Sequence, residues 1–385
     1  MESCRSRSRS VSRCRRTRSI SQFANHGSLI SKPEFIKAHH NNSLSKLPSI
    51  LIVTSKIDVE RYIKKHQGFH VEERVYGRRA ATIVYSNSDS FSFPLMPPFD
   101  GNVEFISSCN GIVCVCARDC ISLRDVYLFN PLTRRSKSMF KKLPPPPFFR
   151  VSNLTRRRCS TNEVVFGFDC LSHDFKVLKI DYATTDINNN DSYKFVNVVA
   201  AHLYSLNDDS WRVIQVGIEL PSLVCYPHCP FLRSGPVLDG VLYLEGVDAI
   251  ITFDLHNEYF GLIKYPSFMH TRMSSVLDFE GSVALVIESV GDEKEVSLWT
   301  MEAVSDEVFW NKRLTFDAGS EEIEWFFLYS GAHKFVGRTK LGTVMYDFHK
   351  KETKIIGLPS QSFLVRVLKH TETFLSLEEF KEVEG

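Results

Sequence analysis

The chain contains no long apolar run. Stretches such as Ile50–Val53 and Ile112–Cys116 fall far short of the roughly 20 residues a membrane-spanning helix needs, so no membrane partner is expected. Its opening residues hold no apolar segment of the kind that directs secretion. A reducing compartment follows as the expectation, cytoplasmic, nuclear or both. The ten cysteines are then read as thiols, because reducing compartments keep cysteines unpaired and a chain this size can bury a core without disulfides. For the same reason the N-x-S/T matches at Asn41, Asn153 and Asn190 are not read as glycosylation sites.

Catalytic signatures are missing as well. No phosphate-cradling glycine loop, nucleophile elbow or HExxH occurs. Ser172-His173-Asp174 sits in a polar stretch between two apolar runs and reads as a hairpin turn. Cys109, Cys114, Cys116 and Cys120 lack the paired spacing of a zinc knuckle. Cys114 and Cys116, two apart on an expected strand, share one face and read as small core hydrophobes. Cys225 to Cys229 (CYPHC) could form half a metal site, but no second half follows. No cofactor, metal or enzymatic activity is expected.

Charge is unevenly spread. Residues 1–20 carry seven arginines against one acid, Glu2, while the whole chain has a formal charge of +2, leaving the other 365 residues mildly acidic at about −4. A reader of nucleic acid needs a basic body that tracks phosphates, so nucleic acid is not an expected partner of the body. The Arg/Ser tail itself could bind RNA or acidic proteins, or serve as a kinase target. It offers no hydrophobic face and is expected to be disordered.

What is present is a β pattern. With 43% hydrophobic and 12% aromatic residues, the chain can form a large core. Residues 28–39 (SLISKPEFIKAH) have helical spacing, with Pro33 able to open a helix. From about residue 49, β-branched and aromatic residues cluster in short runs separated by Gly, Pro, Asn and Asp. Five segments repeat the order strand, aromatic, small polar residue, turn, strand. Their anchors are Phe129, Tyr204, Phe253, Trp299 and Tyr346, at intervals of 75, 49, 46 and 47. Such a period matches the four-stranded blade of a propeller, about 40–50 residues. The recurrence makes the anchors packing positions between blades, and Trp211 and Phe260 fit the returning strand of the same hairpins.

Asn110-Gly111 and Asp239-Gly240 mark tight hairpins, which need positive φ. The long interval holds one blade with two insertions, Asn153–Cys159 and Asp186–Tyr193. The runs at 49–55, 80–87 and 90–96 can combine with the run from residue 363 onward into a sixth blade shared by both chain ends, which closes the ring and removes exposed edges. LPPPP at 143–147 reads as an extended connector between blades.

The order of SSCNGIVCV, YLFNPLTRR, FGFDCLSHDFKVLKI, LYSLNDDSWRVI, GPVLDGVLYLEG, IITFDLHNEYFGLIKYP and VSLWTMEAVSDEVFW resembles the plant F-box proteins with a kelch-like F-box-associated domain, over roughly residues 100–350. The resemblance implies the target-binding subunit of a Skp-cullin-F-box ubiquitin ligase, with a Skp-type adaptor, a cullin and a protein target as partners. SLISKPEFIKAHHNNSL is similar to the end of an F-box, with Leu29, Ile30, Pro33, Glu34 and Phe35 matching. Of these, Leu29, Ile30, Pro33 and Phe35 are the adaptor-binding candidates. Upstream the chain departs from that pattern: Phe23 and His26 stand where the family has Cys and Trp, and the leucine-rich opening is replaced by arginine and serine. An adaptor interface without those apolar anchors lacks the residues that usually dominate binding, and residues 1–25 need not be the natural start.

The expected organisation is therefore a disordered tail over 1–20, a truncated F-box-like helical segment over 21–45 and a six-bladed β-propeller-like domain over 49–378. Arg134, Arg135, Arg156, Arg157 and Arg158, in expected loops on a rigid scaffold, are the candidates for a target-binding rim. An RNA-associated role through the tail, or target binding without ligase recruitment, is the alternative.

Overall fold

The computed structural model describes residues 49–56, 78–84, 90–94, 102–119, 122–131, 140–147, 160–184, 194–220, 223–225, 234–246, 249–267, 273–288, 295–304, 307–317, 323–331, 333–339, 342–355 and 362–371, with residues 373, 375 and 377. The expected tail and helical segment lie outside these. All regular elements among the described residues are strands, and they form six antiparallel sheets. The chain is mainly β, as its composition implied.

Each sheet is a meander, here numbered as blades in chain order. Blade 1 comprises Asn102–Cys109, Ile112–Asp119, Ser122–Phe129 and Phe140–Lys142. Blade 2 comprises Ser160–Asp169, Asp174–Thr184, Lys194–Ser205 and Ser210–Ile214. Blades 3, 4 and 5 run from Ser234–Leu238 to Tyr259–Lys264, from Met273–Phe279 to Glu307–Asp317, and from Ile323–Gly331 to Glu352–Ile355. Blade 6 joins the two ends of the β region: Ser362–His370 pairs with Ser49–Lys56, which pairs with Arg78–Val84, which pairs with Ser90–Pro94. The shared blade expected from the sequence is thus present. The first strands of successive blades face one another around the ring, including Ser362–His370 against Asn102–Cys109.

Alternation along each strand explains how blades stack, since neighbouring residues point to opposite faces. In Asp174–Thr184, Phe175 and Val177 pack with Ile106, Cys114, Cys116 and Leu128 of blade 1. Leu178 and Ile180, on the other face, pack with Leu242, Ile251 and Phe253 of blade 3. Every blade interior is therefore an interface, and each fully buried aliphatic or aromatic side chain contributes about 1.5–3 kcal/mol. Tyr204 and Trp211 are paired across their hairpin with rings 5.4 Å apart, as are Phe253 and Phe260 at 4.8 Å.

Blade 4 departs from the expected alignment. Phe129 and Phe253 pair with the residue two after the hairpin glycine, Val113 and Leu242, whereas Trp299 pairs with Leu285, four after Gly281. The longer final hairpin of this blade displaces the aromatic by two residues along the same face. Blade 2 adds one feature the sequence reading missed: Leu223–Cys225 pairs with Lys194–Val196, beyond the end of Ser210–Ile214.

The hairpin turns have the backbone their residues require. Asn110, Asp239 and Glu280 have φ of 47°, 48° and 53°, each followed by a glycine at positive φ. Because strands alternate in direction, these turns and those between third and fourth strands lie on one face of the ring.

At the closure, His370 is 1% exposed, with its Nδ1 2.8 Å from Ser108 Oγ of blade 1. Burial pushes its pKa down to about 4. The unfolded chain takes up a proton here below about pH 6.5 and the folded chain does not, so stability should fall as pH drops from 6.5 towards 4, by up to about 1.4 kcal/mol per pH unit. His370→Gln should flatten that slope in urea denaturation at pH 5, 6 and 7, and an unchanged slope would contradict the assignment.

Candidate functional site

None of the site residues expected from the sequence lies among the described residues: Leu29, Ile30, Pro33 and Phe35, and likewise Arg134, Arg135, Arg156, Arg157 and Arg158, fall outside them. Cys114 and Cys116 are fully buried in the cluster between blades 1 and 2, which agrees with core packing. Among the described residues no cluster could hold a metal ion. Ser172-His173-Asp174 is a turn, with His173 at φ 52° and Asp174 accepting hydrogen bonds from the amides of Leu206 and Asn207, each at 3.0 Å.

The densest polar constellation lies on the turn face where blade 2 meets blade 3, and its centre is Lys176. In Asp174–Thr184 the alternation places Lys176 on the face of Leu178 and Ile180, turned into the interface. Its ammonium donates to Asp169 Oδ2 at 3.1 Å, to the Leu255 carbonyl at 2.6 Å and to Glu258 Oε1 at 3.1 Å. Lys176 is 5% exposed and Asp169 1%. A buried ammonium with three acceptors, two of them carboxylates, has the partners that make its desolvation tolerable.

Asp169 shapes the turn above it. Its Oδ1 accepts from the amides of Leu171 and Ser172 at 3.0 and 3.3 Å, and its Oδ2 from the Ser172 hydroxyl at 2.5 Å. The carboxylate mimics a backbone turn. Burial pushes its pKa up, but the hydrogen bonds from Ser172, Lys176 and Leu171 outweigh that and hold it well below the usual carboxylate range. The His256 ring, from the last turn of blade 3, sits 3.2 Å from the same oxygen.

Glu258, at φ 58° in that turn, links the blades a second time. It pairs with Lys176 and receives both Nε, at 3.0 Å, and a terminal nitrogen of Arg212 from blade 2. Arg212 also reaches Asp208 at 3.3 Å. Glu258 is held low: burial opposes ionisation, but the bonds from Arg212 and Lys176 prevail. On the other side of blade 2, Trp211 Nε1 and Lys179 Nζ donate to the carbonyls of Pro144 and Pro147 at 2.9 and 3.0 Å, fixing the extended connector.

The cluster's charged groups are engaged with one another, so the arrangement acts as a clamp between blades and fixes the turns it carries. On those turns stand Leu171 at 70% exposure, Asp208 and His256, with the Leu171 amide held by Asp169. The result is a hydrogen-bonded turn that offers one apolar side chain to solvent. The sequence carried one readable sign of it, since a lysine in FKVLKI on the inward-facing parity demands acidic partners.

The family described as "F-box associated beta propeller domain" matches residues 75–349. A protein of Arabidopsis thaliana named as an F-box protein is 25% identical over 305 residues, 77% of this chain and 64% of its own length. Another, named as an F-box/kelch-repeat protein, is 24% identical over 243 residues, 61% of this chain and 52% of its own length. The chain thus spans about half to two thirds of the length of these relatives. Among solved structures, the propeller domain of the trilobed protease of Pyrococcus furiosus aligns with a TM-score of 0.37 at 9% identity, over 82% of this chain and 94% of that one.

Proposed function

We propose, from the premise that this chain belongs to the F-box associated beta propeller family, that it is the target-recognition subunit of a Skp-cullin-F-box type ubiquitin ligase. The chain performs no chemistry. It holds a protein target so that the target's lysines meet a charged enzyme carried elsewhere in the assembly, raising effective concentration. The observation that carries the reading is Leu171, an apolar side chain left 70% exposed on a turn that the Asp169 carboxylate holds rigid. A rigid apolar group among polar neighbours loses little entropy on binding, which favours recognition. The F-box names of the relatives support the ligase context, and Leu29, Ile30, Pro33 and Phe35 would contribute the adaptor contact. Arg134, Arg135, Arg156, Arg157 and Arg158 would extend the target rim, in cytoplasm, nucleus or both.

The test is capture of a Skp-type adaptor by this chain and by a version with a complete F-box front replacing residues 1–25. Capture by both is expected, tighter with the complete front. Capture by neither overturns the ligase reading, and capture by the second alone leaves a chain that binds targets without delivering them. Leu171→Asp should leave adaptor capture unchanged and stability within about 0.5 kcal/mol, while cutting the yield of proteins crosslinked to the turn face at least about tenfold. An unchanged crosslinked set would remove Leu171 from the site.

A further inference from the structure

The outer strand of a blade carries a row of main-chain donors and acceptors on its free side, and such an edge invites pairing with another chain. Five of the six blades keep that strand short. Phe140–Lys142, Ser210–Ile214, Tyr259–Lys264, Glu352–Ile355 and Ser90–Pro94 run three to six residues, and the last of them ends on a proline. Blade 4 does not follow them. Its outer strand Glu307–Asp317 is 11 residues long and holds no proline, and among the described residues no strand pairs with its outer side.

The first half of this strand stands clear of the blade's packing. Val308 and Phe309 are consecutive and so point to opposite faces, yet they are 39% and 48% exposed. Ala303 and Glu302, opposite them on the neighbouring strand, are exposed as well. Trp310 is anchored: it packs with Trp299 and Met301 against blade 3, and its Nε1 lies 3.4 Å from the Lys264 carbonyl. Asn311 Nδ2 donates to Glu302 Oε2 at 2.7 Å. The regular run ends at Arg313, the extra residue of a bulge, whose Nε donates to Thr300 Oγ1 at 2.8 Å.

This run is complementary to itself. In an antiparallel pair related by a two-fold axis, one residue lies opposite its own copy and residues equally far on either side face each other. Centred on Trp310, Phe309 faces Asn311, Val308 faces Lys312 and Glu307 faces Arg313. Acid meets base once at each end, and the two Trp310 side chains meet at the axis, both of them favourable cross-strand pairs. Pairing along the whole strand would be centred on Lys312 and would set that lysine against itself, so charge confines the contact to the projecting half.

We propose that the outer edge of blade 4 is a dimerisation site, where a second copy of this chain adds its own Glu307–Arg313 as the next antiparallel strand. The site lies on a different blade from Leu171 and depends on neither that turn nor the ligase reading.

The test uses the purified full chain. Sedimentation velocity should show monomer giving way to dimer between about 1 and about 100 µM, the weak end expected of a small interface. Glu307→Arg should weaken the dimer at least about tenfold, because the two-fold axis turns two attractive pairs into two repulsive ones. Arg313→Glu should do the same, and the two substitutions together should restore dimerisation. Hydrogen exchange at the amides of Val308–Lys312 should slow at the higher concentration, while the outer strand of blade 3, Tyr259–Lys264, should not change. A chain that stays monomeric to about 100 µM would overturn the proposal and leave the edge to an extended segment of another protein. A dimer indifferent to Glu307→Arg, or one that the paired substitutions fail to restore, would overturn it too, since the copies would then meet elsewhere. Should Arg313→Glu unfold through loss of its bond to Thr300, Glu307→Arg at an exposed position decides together with exchange.

Discussion

Replacing Lys176 with methionine should destabilise the fold by about 3–5 kcal/mol, the cost expected when one partner of a buried ion pair is removed and the other is left behind. Methionine keeps most of the side chain's packing against the apolar face, so the loss reports the charge. Asp169 and Glu258 would then face each other's side of the interface without the ammonium that now lies 3.1 Å from each. The deficit should depend on pH in a definite direction. Asp169 and Glu258 are both held below their ordinary values in the fold, so their pairing stabilises above about pH 4, where unfolded carboxylates are ionised, and fades as pH falls further. The difference between the two proteins in urea denaturation should therefore be largest near neutrality and shrink below about pH 4. Adding Asp169→Asn should restore part of the loss. A deficit under about 1 kcal/mol, or one that grows on acidification, would contradict the clamp. The substitution should also accelerate exchange at the Leu171 and Ser172 amides, because the carboxylate that accepts from both would lose its anchor.

Most of the ring was legible in the sequence because its determinants are local. The pairs Asn110-Gly111 and Asp239-Gly240 announce their positive φ, the β-branched runs announce strands, and the aromatic period announces the blades. Even the shared sixth blade could be inferred, because strands left over at both ends need partners. The Trp299 offset was not legible: the repeat aligns residues by type, whereas the register of blade 4 follows from hairpin length. The clamp was less legible still. Lys176 and Glu258 are 82 residues apart, and only the stacking of one blade on the next brings them together. The contact of Asn130 was hidden for a similar reason, since the carbonyls of Thr373 and Leu375 that accept from its amide lie more than 240 residues further on. Recognition surfaces assembled from separate blades leave few local signs in the chain. The basic loops drew attention through composition alone, while the described turn face owes its character to buried pairs.

Gly111 and Gly281 offer a paired measurement in which backbone and packing can be separated. Both have strongly positive φ, 80° and 85°, so alanine at either carries the left-handed penalty of about 1–2 kcal/mol. At Gly281 nothing lies within 4 Å of the added carbon, and the loss should stop there. At Gly111 the carbon meets Thr373 and, more stubbornly, the Thr371 carbonyl, a backbone atom that cannot rotate away. Crowding of a packed site costs about 1–3 kcal/mol more, so Gly111→Ala should lose about 2–5 kcal/mol and clearly exceed Gly281→Ala. Equal losses at the two positions would mean that Thr371 and Thr373 do not pack over the blade 1 turn.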